Sequence, residues 1–280
     1  MKCLLIKNAD VYAPQPLGIV DILIINDKIA KIGQQLAAPQ GLDCQILDAQ
    51  KRKVVPGYVD QHVHIIGGGG ESGPYSRTPE INLSELTKVG ITTVVGVLGT
   101  DGTSRHNESL LAKARSLTHE GITAYMLTGS YEIPLHNMTG DVRRDIILIN
   151  ECLGIGEVAL SDHRSSQPTR EELEKVLTQA RLGGMLSGKA GVVQFHMCVG
   201  KRGMDVLLAI VRETEIPARH FIPTHVNRAF HLFEQAKEFA RLGGYVDITS
   251  GIREQDGFPA CVKPSDAIKI LYEEGVPMDK

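Results

Sequence analysis

The chain has 280 residues, 42% hydrophobic and 22% charged, with 30 Lys+Arg against 33 Asp+Glu. That balance belongs to a globular protein with a sizeable core, and the lack of any basic run or face excludes a nucleic-acid partner. The apolar stretches, such as 91–98 and 206–211, are too short to cross a bilayer, and the N-terminus lacks the basic, apolar, small pattern of a secretory signal, so a cytoplasmic chain with no membrane partner is expected.

Residues 3–6, 21–25 and 29–32 alternate as strands do, with a hairpin turn at Asn26-Asp27, so residues 1–53 read as a small β element standing apart. From residue 54 the rhythm changes. Short strand-like runs at 54–62, 92–98, 124–128, 158–161, 192–197, 221–225 and 245–249 alternate with helical segments at 83–89, 108–120, 143–152, 169–186, 204–214 and 230–242. A last helix, 265–274, follows Pro264 and closes at Gly275. Such alternation predicts a parallel sheet wrapped by helices over residues 54–280. Seven strands are one fewer than a TIM-type (β/α)8 barrel needs, so the expected barrel is incomplete at its C-terminus.

The five cysteines, Cys3, Cys44, Cys152, Cys198 and Cys261, are scattered and form no Cys-x-x-Cys pair. They indicate neither a disulfide framework nor a cysteine zinc site, and read as small buried hydrophobes.

The strongest local signal is the run Asp60-Gln61-His62-Val63-His64. Alternate side chains of a strand share a face, so His62 and His64 can grip one ion, at the C-terminal mouth where barrel enzymes do their chemistry. A bare His-x-His is more often a pair of surface histidines. Here, however, His196 and His225 end later strands in the same register, and four histidines would converge on one mouth. Glu157, on the fourth strand, adds a carboxylate with two anionic oxygens to share between two ions. On its own it reads as a solvated acid. His106, His119, His136, His220 and His231 are expected on the surface, and His163 at the mouth without binding metal.

These residues, in this order, resemble the amidohydrolase superfamily, and narrow to its isoaspartyl dipeptidases. The resembling stretches are His62-Val63-His64-Ile65-Ile66-Gly67-Gly68-Gly69-Gly70-Glu71 with Arg77-Thr78-Pro79-Glu80; Gly96-Val97-Leu98-Gly99-Thr100-Asp101; Leu127-Thr128-Gly129-Ser130-Tyr131; Ser161-Asp162-His163-Arg164-Ser165; Phe195-His196-Met197; and Pro223-Thr224-His225-Val226-Asn227-Arg228. Many amidohydrolases share His-x-His, whereas the glycine run ending in Glu71 and the Thr-His-Val-Asn-Arg element look specific to this branch.

The resemblance implies a small β-sandwich domain that includes residues 1–53, and a barrel binding two divalent ions through His62, His64, Glu157, His196 and His225. Imidazole and carboxylate donors suit zinc, and also accommodate cobalt and manganese. It implies hydrolysis of the β-aspartyl amide bond of a small isoaspartyl dipeptide by a metal-bridging hydroxide, in a homo-oligomer. Gly69, Glu71, Thr100, Tyr131, Arg164 and Arg228 would line the substrate, with Tyr131 polarising the scissile carbonyl and the arginines taking carboxylates in two parallel hydrogen bonds.

Two departures stand out. Glu157 occupies the place of the carboxylated lysine that bridges the ions in the best-known relatives. The family's general acid/base aspartate falls beyond Lys280, so the native protein is expected to run roughly a hundred residues further. Two other readings compete: an amidohydrolase acting on cyclic amides or N-acyl groups, as in dihydroorotases, hydantoinases and deacetylases, and a metal-free assembly subunit.

Overall fold

A computed structural model describes residues 2–280, the side chain of Asp256 apart. The backbone forms two compact units, the first ending at Tyr58 and the second spanning Val59–Lys280.

In the first unit, β1 (Cys3–Tyr12) pairs antiparallel with β2 (Pro16–Ile25), which continues into β3 (Lys28–Gly33), while β4 (Cys44–Asp48) and the two-residue β5 (Lys53–Val54) lie parallel to β1. The hairpin between β2 and β3 turns where expected, with Asn26 in the left-handed region at φ 55°. Ala9, Val11 and Ile22 form its buried core. One expectation fails here: Cys3 and Cys44 are register partners on neighbouring strands and are joined as a disulfide. Spacing could not show this, because a bridge across 41 residues depends on the strand pairing that brings the two Cα atoms to 4.5 Å.

The second unit is built on a curled parallel sheet, half of a barrel, in the order β11-β10-β9-β8-β7-β6. Its strands are β6 (Tyr58–Val63), β7 (Ile91–Gly96), β8 (Thr123–Thr128), β9 (Cys152–Leu160), β10 (Val192–Met197) and β11 (Phe221–Thr224). The helices are α1 (Leu83–Thr87), α2 (Asn107–Glu120), α3 (Val142–Leu148), α4 (Arg170–Ser187), α5 (Asp205–Glu213), α6 (Phe230–Arg241) and α7 (Pro264–Glu273). Their ends follow local chemistry: Thr169 and Glu172 form a capping box at the start of α4, and Gly188 closes that helix in the left-handed region. On β10 the two-residue period puts Val193, Phe195 and Met197 into the hydrophobic core and leaves Gln194 and His196 on the opposite face.

Three of the expected elements differ most from the structure. The strand expected at 54–62 breaks at Pro56-Gly57, so Val54 belongs to β5 and β6 starts at Tyr58. The helix expected at 143–152 stops at Leu148, and β9 begins as early as Cys152. Residues 245–249 are not a strand. Two backbone bonds tie Asp247 to Pro223 and Val226, but the Asn227 amide then takes both the N–H and the C=O of Thr249, which removes the groups a ladder needs.

Candidate metal centre

Strand β9 carries the central group. Between β9 and β10 the register slips, so that Gly156 and Glu157 together oppose Gln194, as in a β-bulge. The bulge lets Ile155 and Val158 both stay in the core while Glu157 turns to the other face. Gly156 is required, because a Cβ there would stand 2.8 Å from Leu127 Cδ1 and 2.9 Å from Gln194 Cβ.

Glu157 is fully buried, and its two oxygens face different histidines. Oε1 lies 3.5 Å from His62 Nε2 and 3.6 Å from His64 Nε2, while Oε2 lies 3.1 Å from His196 Nδ1 and 3.9 Å from His225 Nε2. His62 sits within β6, His64 one residue past its end, and His225 just past β11 with φ 60°. The ring centroids of His62 and His196 each lie 4.9 Å from that of His225.

Two ligand groups result, His62–His64–Glu157 and Glu157–His196–His225. Among the described residues, neither Glu157 Oε1 nor His62 Nδ1 has a hydrogen-bond partner, although both atoms are buried. A buried anion left without donors is costly unless a cation faces it, so this donor set fits a pair of divalent ions sharing the carboxylate.

Titration of the cluster follows the same geometry. Burial pushes the Glu157 carboxyl up, but the surrounding histidines, His62 first, hold it well below the usual range. Burial keeps His64 and His225 easily deprotonated. It opposes charge on His196 as well, yet Asp162, Cys198 and Glu157 outweigh it and lift that ring to about 10. Ions and protons therefore compete for the same nitrogens.

Around His196 stands a polar rim. Tyr131 is buried, with its hydroxyl 2.7 Å from His196 Nδ1, and burial together with the Glu157 charge raises its phenol well above normal. Arg164 Nη2 and Arg228 Nη1 each lie 3.1 Å from His196 Nε2. Arg164 also donates to Glu71 Oε1 at 3.0 Å, and Thr100 donates to the same oxygen at 2.9 Å. Gly69 lies in a loop folded so tightly that a Cβ would come within 2.5 Å of the Ser76 carbonyl oxygen. Its own carbonyl accepts from Arg105 at 3.1 Å, and Gly69, Glu71, Thr100, Tyr131 and His64 line one small cavity.

All the residues singled out from the sequence thus fall in one region of the second unit. Sequence reasoning missed two neighbours, Arg105 beneath the glycine loop and Asp162 beneath Arg164 and His196. The Asp-x-Arg spacing was the available sign of the second, because a short acidic side chain bonds readily to the backbone two residues on. One histidine was misplaced: His220 is buried, with Nδ1 2.9 Å from the Gly191 carbonyl oxygen.

No protein-family model matches the chain. Among solved structures, a β-aspartyl dipeptidase from the thermophilic, keratin-degrading Fervidobacterium islandicum AW-1 is 45% identical with a TM-score of 0.91, covering 98% of this chain and 73% of its own. The same enzyme in complex with β-Asp-Leu dipeptide matches equally well. Among curated proteins, an imidazolonepropionase from Photorhabdus laumondii is 28% identical over 120 residues, and a Staphylococcus aureus dihydroorotase is 39% identical over 90. The chain spans 29% and 20% of the length of these two.

Proposed function

The chain belongs to the β-aspartyl dipeptidases of the amidohydrolase superfamily, and from that premise we propose that it carries the metal and substrate residues of an enzyme hydrolysing the β-aspartyl amide bond of dipeptides. The observation that carries the proposal is the Glu157 carboxylate, with each oxygen facing its own pair of imidazoles, beside a rim of one acid and two guanidinium groups.

His62, His64, His196 and His225 would hold two divalent ions with Glu157 between them. Ions so held supply a nucleophile from water at neutral pH and polarise an amide carbonyl. The remaining work falls to side chains. An isoaspartyl dipeptide presents an ammonium and two carboxylates, and Glu71 answers the first while Arg164 and Arg228 answer the others. Tyr131 holds its proton tightly and can donate it as a hydrogen bond to an oxygen gaining charge. Cyclic amides carry no such set of charges, which disfavours a dihydroorotase-like substrate.

We extend the proposal to a TIM-type (β/α)8 barrel for the second unit and a β-sandwich for the first, supported by the curled parallel sheet of the one and the separate five-stranded sheet of the other. Zinc is the proposed ion because its usual donors are these. A homo-oligomer in the cytoplasm is the proposed setting. No described helix is long and apolar enough to cross a membrane.

The test is amino-acid release from β-Asp-Leu and from its α-linked isomer by the purified full-length protein. Release from the β-linked peptide alone supports the reading. Equal release from both, or from neither with ions bound, removes it.

A further inference from the structure

We propose that Asp162, which none of the expected roles includes, is a positioning residue that ties the His196 metal ligand to the Arg164 carboxylate fork. The inference rests on the reading above for the identity of the substrate. Asp162 follows the end of β9, and its side chain is fully buried. Oδ1 accepts from the Arg164 backbone N–H at 2.7 Å and from Nε at 3.0 Å. Oδ2 accepts from Arg164 Nη2 at 2.6 Å and stands 3.2 Å from His196 Nε2.

One carboxylate therefore does two things. It takes the Nε–Nη2 edge of the guanidinium, which fixes the plane of the group and leaves Nη1, which donates to Glu71 Oε1 at 3.0 Å, facing the rim where a substrate carboxylate would bind. It also stands against His196 Nε2 beside the Arg164 and Arg228 guanidinium groups, which holds that edge of the ring at the rim and turns Nδ1 toward Glu157 Oε2, 3.1 Å away in the second ligand group. An asparagine in its place offers a single acceptor oxygen and no charge, and its amide hydrogens oppose the guanidinium.

The experiment compares the full-length protein with its Asp162→Asn, Asp162→Glu and Arg164→Met variants. Zinc affinity is read by competition with a chromophoric chelator in the absence of substrate, and KM and kcat are read with β-Asp-Leu. Asp162→Asn should weaken the second zinc about 10- to 100-fold, leave the first unchanged, and raise KM about tenfold. Arg164→Met should raise KM without moving zinc affinity. Asp162→Glu keeps the charge but shifts its reach, and serves if the asparagine variant does not fold; both measurements should move in the same directions. A wild-type protein that fails to hydrolyse β-Asp-Leu removes the substrate assignment, while the zinc measurement still tests the link to His196. Unaltered zinc affinity in the Asp162 variants, or weakened zinc with an unchanged KM, overturns the proposal.

Discussion

Glu157 and Asp21 are both buried carboxylates, in the second and first units respectively, and their surroundings are opposite in kind. Asp21 accepts from Lys7 Nζ at 2.6 Å, from the Asn8 N–H at 3.0 Å and from the Leu36 N–H at 2.9 Å, so its charge is met by fixed donors. Asp145, buried in the second unit, is satisfied in the same way by Thr128, Met138 and Thr139. Glu157 has four imidazoles around it and one oxygen with no donor. A carboxylate that only stabilises a fold is closed by protein hydrogen bonds, whereas one that serves an ion is left partly open.

The largest effect should come from Glu157→Gln in the full-length protein. β-Asp-Leu hydrolysis should fall at least about a thousandfold, equivalent to ~4 kcal/mol of barrel-site stabilisation of the transition state. Zinc content should drop below two per chain, and the rise in Tm on adding zinc should be lost. Unchanged zinc stoichiometry in that variant would break the contrast with Asp21. Tyr131→Phe leaves the ligands in place, so kcat should fall about 10²- to 10³-fold while zinc content holds.

Arg164→Met, on the rim, should raise KM for β-Asp-Leu about 10- to 100-fold, the range for losing a charge-assisted hydrogen bond. Arg164→Lys should not restore it, because a point charge lacks the planar fork.

The smallest effect belongs to the closed carboxylate. Asp21→Asn should lower stability by about 1 kcal/mol, since the Lys7 partner remains partly screened by water. The hydrogen bond from Lys7, ahead of the opposing effect of burial, holds the Asp21 carboxyl below its ordinary value. A depressed carboxylate stabilises the fold fully above its unfolded pKa and loses that contribution as pH falls through the folded one. The difference between wild type and variant, measured by denaturant unfolding, should therefore be constant from pH 7 down to about 5 and shrink below about 4.

The same contrast explains what could be read before folding was considered. Six of the seven described α-helices left marks in the sequence through caps, proline starts and glycine stops, and α5 through Pro217 beyond its end, because those signals are local. His62 and His64 could be placed on one face, and His196 in the same register, because a strand has a fixed period. Glu157 could be placed on its strand, but not given its inward direction. That depends on the slip of register opposite Gln194, a property of two strands together. The disulfide, the buried His220 and the Asn227 clamp that ends the segment at Thr249 all join residues 22 or more apart, and none has a local signature; Asp162 carried one in its spacing to Arg164, but its approach to His196 did not.

The most direct test of the central claim is a crystal structure of the full-length protein grown with zinc, with anomalous differences collected on both sides of the zinc absorption edge. Two anomalous peaks are expected, one between His62, His64 and Glu157 Oε1, and one between His196, His225 and Glu157 Oε2. A single peak, or two peaks that Glu157 does not touch, would contradict the shared carboxylate and the chemistry built on it.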